Sequence, residues 1–363
     1  MAEQGGRRRG GRRRDGRRRG GARPAAPAVK TVNLALQGGG AHGAFCWGVL
    51  DRLLEDERIG LDGISATSAG SMNAAVLAYG LVEGGRDGAR RALAEFWRRV
   101  GETAAASPLQ PSVWDRLQHD HSLMHSPAFL MFDLMTRVLS PYELNPLNIN
   151  PLRRVLQETV DFEAIRRHCP VKLFLSATNV RTGKIRLFGN HEITADAVLA
   201  SACLPFLFHT VEIDGEAYWD GGYMGNPAIF PLIYHCDAVD VVIVHINPIE
   251  RDEVPRTAGE ILSRVNELSF NSSLMREMRA IAFVSRMIDD GTVRPGAMKR
   301  MLIHAIADEP YMRSLRLTSK MNPDPRFLAH LHGVGRDCAD TWLAETFEAL
   351  GNRTSVDLAE RYL

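Results

Sequence analysis

The chain has 363 residues, enough for one large domain or two ordinary ones, and 45% of them are apolar, enough for a sizeable core. Its formal net charge of +1 hides an asymmetry: residues 1–23 hold ten arginines against Glu3 and Asp15, so this segment carries about +8 and the remainder about −7. The sequence has no apolar run of about 18 residues and no apolar stretch near its N-terminus, so neither a spanning helix nor a secretory leader is expected.

Residues 1–30 are mostly Gly, Arg, Pro and Ala, without apolar periodicity, and read as a disordered tail. Its arginine triplets would attract anionic partners weakly. No aromatic residue interleaves them, so specific nucleic-acid binding is not expected. Residues 31–36 (TVNLAL) read as a short buried strand, followed by a glycine-rich loop. A helix follows, with Phe45, Val49 and Leu53 on one ridge and Cys46, Leu50 and Leu54 beside it. Residues 61–65 read as a second strand and 71–81 as a small-residue helix. Strand, glycine turn, helix, strand, sharp turn, helix is an α/β parallel-sheet pattern.

Residues 105–150 are irregular and read as a helical insertion beside the substrate entrance. Phe129, Leu130, Met131, Phe132, Leu134 and Met135 are its candidate lining, although a plain buried helix has the same look. Asn150-Pro151 reads as an N-cap followed by Pro at the first helical position. Residues 171–180 return to strand character, with 184–188 as a hairpin partner. Residues 194–202 read as a helix, 217–219 as a short strand and 239–246 as a central strand. The catalytic domain is placed at 31–250. Residues 251–363 are read as a helical C-terminal extension packed on it, with helices at 256–289, 296–308 and 325–350.

Three segments carry chemistry. The first is Gly38-Gly39-Gly40-Ala41-His42-Gly43, between a strand and a helix. Glycines let the backbone approach a ligand, and free amides at a helix start face developing negative charge, as in an oxyanion hole. Gly38, Gly40 and Gly43 equally fit a dinucleotide fingerprint, with Glu55, Asp56, Glu57 and Asp62 as acidic candidates. The second is Ser65-Ala66-Thr67-Ser68-Ala69-Gly70, also between a strand and a helix. A nucleophile elbow needs small residues two before and two after its serine, which selects Ser68 over Ser65 and Ser71. Gly70 meets this fully, whereas Ala66 stands where glycine is usual. The third is Trp219-Asp220-Gly221-Gly222, an aspartate at a strand end that can project into a cleft and accept a serine proton. In isolation it is also an ordinary Asp-Gly turn.

Together these motifs resemble the patatin-like phospholipase family over roughly residues 32–245, with 200–206 (ASACLPF) similar to a segment the family carries between its serine and aspartate. The resemblance implies a three-layer α/β/α sandwich around a mostly parallel central sheet. It implies a Ser–Asp dyad without histidine, with Ser68 as nucleophile and Asp220 as base. The amides of Gly38, Gly39 and Gly40 would form the oxyanion hole, and Ala66, Gly70, Gly221, Gly222, His42 and Gly43 would support the elbow and the other motifs. The implied substrate is an acyl ester, foremost of a lipid, with no cofactor and no metal. His42 stands where the family often has Arg or Lys, which makes the local charge a function of pH.

Other readings stay open. A Ser–His–Asp triad could draw on His235, His245, His304, His330 or His332, all after Asp220. His119, His121 and His125 have spacing that could ligate a metal but read as a polar loop. The substrate could be an intracellular polyester or a general carboxylic ester. A protein of another class, a catalytically silent binder of a membrane or granule surface, would also use the basic tail. The five cysteines are scattered, without CxxC pairing, and fit a reducing cytosol. The expected location is cytoplasmic, and peripheral contact with a membrane stays open.

Overall fold

The computed structural model describes residues 1–2, 29–105, 121–123, 126–294 and 296–363. The arginine-rich tail, most of the segment 106–125, and His119 and His125 lie outside the described residues.

Strand β1 (Lys30–Leu36) sends Val32, Leu34 and Leu36 into one core and Ala35 into another, the alternation of a strand buried on both faces. A 3₁₀ turn over Gly40–His42 leads to α1 (Gly43–Glu55). Strand β2 (Ile59–Thr67) ends at Ser68, and α2 (Ala69–Ala105) begins at once, kinked at Gly84–Gly85. Four short helices follow: α3 (Pro127–Thr136), α4 (Pro141–Leu144), α5 (Pro151–Thr159) and α6 (Phe162–His168). As its sequence signals, α5 starts with Pro151 behind an Asn150 cap whose Oδ1 accepts the Leu152 amide at 3.1 Å.

The chain returns to the sheet with β3 (Lys172–Asn179) and its antiparallel partner β4 (Ile185–Gly189). Helix α7 (Ala195–Ser201) is capped by Thr194, and β5 (Val211–Ile213) and β6 (Glu216–Asp220) form a hairpin. Then come α8 (Phe230–His235), β7 (Asp240–Val244), the long α9 (Ala258–Asp289), β8 (Leu302–Ile306), α10 (Glu309–Ser314), α11 (Pro325–Thr346) and α12 (Leu358–Tyr362).

The sheet runs β5-β6-β3-β2-β1-β7-β8, with β4 also on β3. Its β3-β2-β1-β7-β8 portion is parallel, and the β4, β5 and β6 pairings are antiparallel. The fold is thus α/β with a mostly parallel central sheet in three layers. One face carries the core of α1, α2 and α11, with Phe45, Leu50, Leu77 and Leu331. The other carries α8, α9 and α12, with Leu232, Leu274, Met278 and Tyr362. Where α1 crosses α11, a Cβ on Gly335 would stand 2.1 Å from the Phe45 carbonyl, so the helices meet backbone to backbone.

One expectation is overturned. Residues 296–308 are not a helix: Leu302–Ile306 form β8, parallel to β7 in register Asp240↔Leu302 through Val244↔Ile306. A short apolar run buried on both faces has no periodicity to separate strand from helix. The C-terminal part is otherwise mostly helical, yet it supplies the last strand of the central sheet.

Strand order fixes where ligands can bind. The chain builds from β1 through β2 to β3 on one side, then returns to β7 and β8 on the other. In such sheets the crevice lies outside the carboxyl ends of the strands where the order reverses. The Gly38–Gly40 loop leaves from β1 at that point, and Ser68 leaves from its neighbour β2.

Candidate active site

Ser68 has φ of 56°, in the left-handed region that L-residues avoid. Such strain persists only where the surroundings enforce it, and it clusters at functional sites. The enforcement is visible. The Ser68 amide donates to Ser201 Oγ at 2.9 Å, and Ser201 Oγ also pairs with Ser71 Oγ at 2.8 Å. Gly70 runs so close to β1 that a Cβ would stand 2.4 Å from the Leu36 carbonyl oxygen. Ala66 is fully buried in β2 and shows no left-handed backbone, so its methyl group strains nothing locally. Its neighbours Ser65 and Thr67 donate to the carbonyls of Ala228 at 2.5 Å and Gly225 at 2.6 Å. These two bonds tie the elbow to the loop that follows Asp220-Gly221-Gly222.

Asp220 ends β6 opposite Ala177 of β3 and is fully buried. Its amide donates to the Cys203 carbonyl at 2.8 Å, and its own carbonyl accepts from Thr178 Oγ1 at 2.8 Å. Asp220 Oδ1 accepts the Gly222 amide at 2.7 Å, within the 3₁₀ turn Gly221–Tyr223, while Oδ2 makes no close hydrogen bond, the Ser68 hydroxyl acting on the carboxyl from farther away. Burial pushes the carboxyl up from 3.8 to about 7, against the Gly222 amide, the Ser68 hydroxyl and the Lys320 ammonium, which favour the ionised form. A serine hydroxyl on a strained turn, beside a carboxyl that ionises near neutrality, is a pair suited to proton transfer during nucleophilic attack.

The glycine loop is wedged between the elbow and the C-terminal part. A Cβ on Gly38 would stand 2.5 Å from Ser68 Cβ, and one on Gly40, where φ is 58°, would stand 2.4 Å from the Lys320 carbonyl oxygen. Only glycine allows both approaches. The Gly38 amide is occupied, donating to Asn226 Oδ1 at 2.7 Å, which takes it out of the expected set of three free amides. Among the described residues, the Gly39 and Gly40 amides donate to no protein acceptor. Gly43 opens α1, and its carbonyl accepts from Asn73 Nδ2 at 2.9 Å.

His42 is buried behind the loop, with Nε2 2.8 Å from Ser319 Oγ. That hydroxyl donates its proton to the Arg316 carbonyl at 2.6 Å, so it accepts from His42, which therefore carries its proton on Nε2. Burial, and then the Lys320 ammonium, hold the His42 pKa well below 6.5. His42 is neutral at physiological pH, and the expected pH-dependent charge at this position is not found.

The triad candidates have other partners. His245 Nε2 pairs with the Tyr362 hydroxyl at 2.7 Å, and His304 Nε2 with Asp240 Oδ1 at 2.9 Å. His332 faces Asp51 at 3.3 Å and packs against Trp47 with the rings tilted by 35°. His235 packs against Phe174, and His330 against His121 and Tyr311. His121 itself stacks on Phe327. On α3, Phe129 is buried, but Leu130, Met131, Leu134 and Met135 are exposed, unlike the side chains of a plain buried helix.

Four supporting residues escaped the sequence reading: Gln37, Asn226, Asn247 and Lys320. Gln37 Oε1 accepts the amides of Ile246 at 2.8 Å and Asn247 at 3.0 Å, which joins the ends of β1 and β7. Asn226 sits in an Asn-Pro turn four residues past Gly222, the one signal that could have marked it.

A family model described as patatin-like phospholipase matches residues 34–233, more than half of the chain. The chain belongs to the patatin-like phospholipase family. No curated protein matches it. Among solved structures it is similar to VipD from Legionella pneumophila, at 16% identity and a TM-score of 0.43, over 88% of this chain and 67% of that one.

Proposed function

We propose that the protein is a serine acyl hydrolase that cleaves carboxylic esters of lipids through a Ser68–Asp220 dyad. The observation that carries this reading is the pairing of Ser68, at a left-handed φ of 56°, with a buried Asp220 whose pKa is raised to about 7. Ionised Asp220 takes the proton from Ser68 Oγ as that oxygen attacks the ester carbonyl carbon. The resulting oxyanion accepts hydrogen bonds from the Gly39 and Gly40 amides. Collapse expels the alcohol, which leaves with the proton from Asp220, and an acyl group stays on Ser68. Water then attacks this acyl-enzyme with the same proton shuttle and releases the fatty acid.

Membership of a phospholipase family supports a lipid substrate, and so do the exposed apolar side chains of α3. Among the described residues, no helix is long and apolar enough to cross a membrane. The basic residues of the N-terminal tail would add weak attraction to anionic lipid. Fatty-acid release from phosphatidylcholine vesicles, measured with wild type and Ser68→Ala, tests the substrate class. Release by the wild type alone supports the proposal. Esterase activity on a short p-nitrophenyl ester with no release from vesicles would count against a lipid substrate.

A further inference from the structure

Lys320 lies 87 residues beyond the matched family span, on the 3₁₀ segment Leu317–Met321. Its Nζ donates to Asn247 Oδ1 at 2.6 Å, and Asn247 Nδ2 donates to the Gly38 carbonyl at 2.8 Å. The Gly38–Gly39 peptide is trans, so fixing its carbonyl on one side directs the Gly39 N–H to the other. The same segment touches the loop twice more, through the Lys320 carbonyl over Gly40 and through Ser319 Oγ on His42.

We propose that Lys320 is a positioning residue of the Ser68 site, acting through Asn247 to hold the Gly38–Gly39 peptide plane that presents the Gly39 amide to the developing oxyanion. The C-terminal part then completes the active site instead of merely covering it. This rests on the Ser68–Asp220 reading above. An ammonium at the head of a hydrogen-bond chain polarises each later link, so the Gly38–Gly39 peptide is a stronger donor than it would be alone. Removing the ammonium leaves Asn247 Oδ1 without its donor and the side chain held only through Nδ2, by the Gly38 carbonyl and by Gln37 Oε1 at 3.3 Å, so the peptide plane is less firmly fixed, and misplaced donors lose most of their value for a transition state.

The charged and titratable groups around the ammonium are Glu267 from α9, Arg251 from the loop after β7, Asp220 from β6 and His42 from the glycine turn. Glu267 is committed to Arg251 and Arg264. Lys320 also favours the ionised form of Asp220. Burial brings the Lys320 pKa down to about 8, so its charge is lost as pH rises through that value.

The test compares wild type, Lys320→Met, Asn247→Leu, the double variant and Ser68→Ala. The readouts are kcat and KM on a p-nitrophenyl ester, the rate of fluorophosphonate labelling and the thermal midpoint. In Lys320→Met, kcat and labelling are expected to fall on the order of 10-fold or more with KM within about twofold. The acid limb of its pH profile is expected to shift upward, because Asp220 loses a stabilising charge. The double variant should lose no more than the worse single one, because both act through one chain. Wild-type kcat and an unmoved acid limb in folded Lys320→Met would overturn the proposal and leave the dyad intact. Full activity in Ser68→Ala would overturn both. If Lys320→Met does not fold, Lys320→Arg decides: a guanidinium stays charged, so the loss of rate above about pH 8 should disappear, and its persistence would overturn the proposal.

Discussion

Replacing Asp220 by Asn separates the cost of burying a carboxylate from its use. The carboxyl ionises at 3.8 in an unfolded chain and at about 7 in the fold. A folded pKa above the unfolded one means that the native state holds the proton more tightly. Stability is then highest below about pH 4 and falls as pH rises towards 7, above which the penalty is complete. At about 1.4 kcal/mol for each tenfold change in proton affinity, the penalty is about 4 kcal/mol at pH 8 and roughly 1–2 kcal/mol at pH 5. Asparagine can keep Oδ1 on the Gly222 amide, but its NH₂ takes the place of an oxygen without a close hydrogen bond, which costs about 1–3 kcal/mol at every pH. The NH₂ cost cancels when the variant is compared with itself at two pH values. Denaturant unfolding of both proteins at pH 5 and pH 8 should show Asp220→Asn gaining about 2–3 kcal/mol on the wild type between the two. It should also lose ester hydrolysis. A difference that is the same at both pH values would refute the raised pKa and, with it, the role of Asp220 as a base poised near neutrality.

Gly38→Ala puts a Cβ 2.5 Å from Ser68 Cβ, so kcat should fall at least about 100-fold, with about 1–3 kcal/mol of destabilisation, checked by ester kinetics and chemical unfolding. Ser201→Ala strands the Ser68 amide, now 2.9 Å from Ser201 Oγ, and should cost about 1–3 kcal/mol while slowing fluorophosphonate labelling. Replacing His235, His245, His304, His330 or His332 singly by Ala should leave kcat/KM of the folded protein within roughly threefold, whereas a triad would lose orders of magnitude at one of them.

The elements nearest the chemistry were legible because their signals are local. The apolar strand, glycine turn and helix at 31–54, and the small-residue frame around Ser68, each need only neighbours in sequence. Ser201 lay in a segment singled out for its resemblance, but its bond to the Ser68 amide spans 133 residues and has no signature of its own. Asn247 and Lys320 are ordinary polar residues until β7 and the segment Leu317–Met321 bring them to the glycine loop. The occupied Gly38 amide was unreadable for the same reason, since its acceptor is the side chain of Asn226, 188 residues away. Strand β8 was missed because five residues buried on both faces leave no alternation to read.

The most direct test of the dyad is hydrolysis of a short p-nitrophenyl ester by wild type, Ser68→Ala and Asp220→Asn, across pH 5 to 9. The account predicts turnover by the wild type that rises through about pH 7, as Asp220 ionises, and falls again above about pH 8, as Lys320 loses its charge, with a loss of at least about 1,000-fold in both variants. Undiminished turnover in folded Ser68→Ala would contradict it.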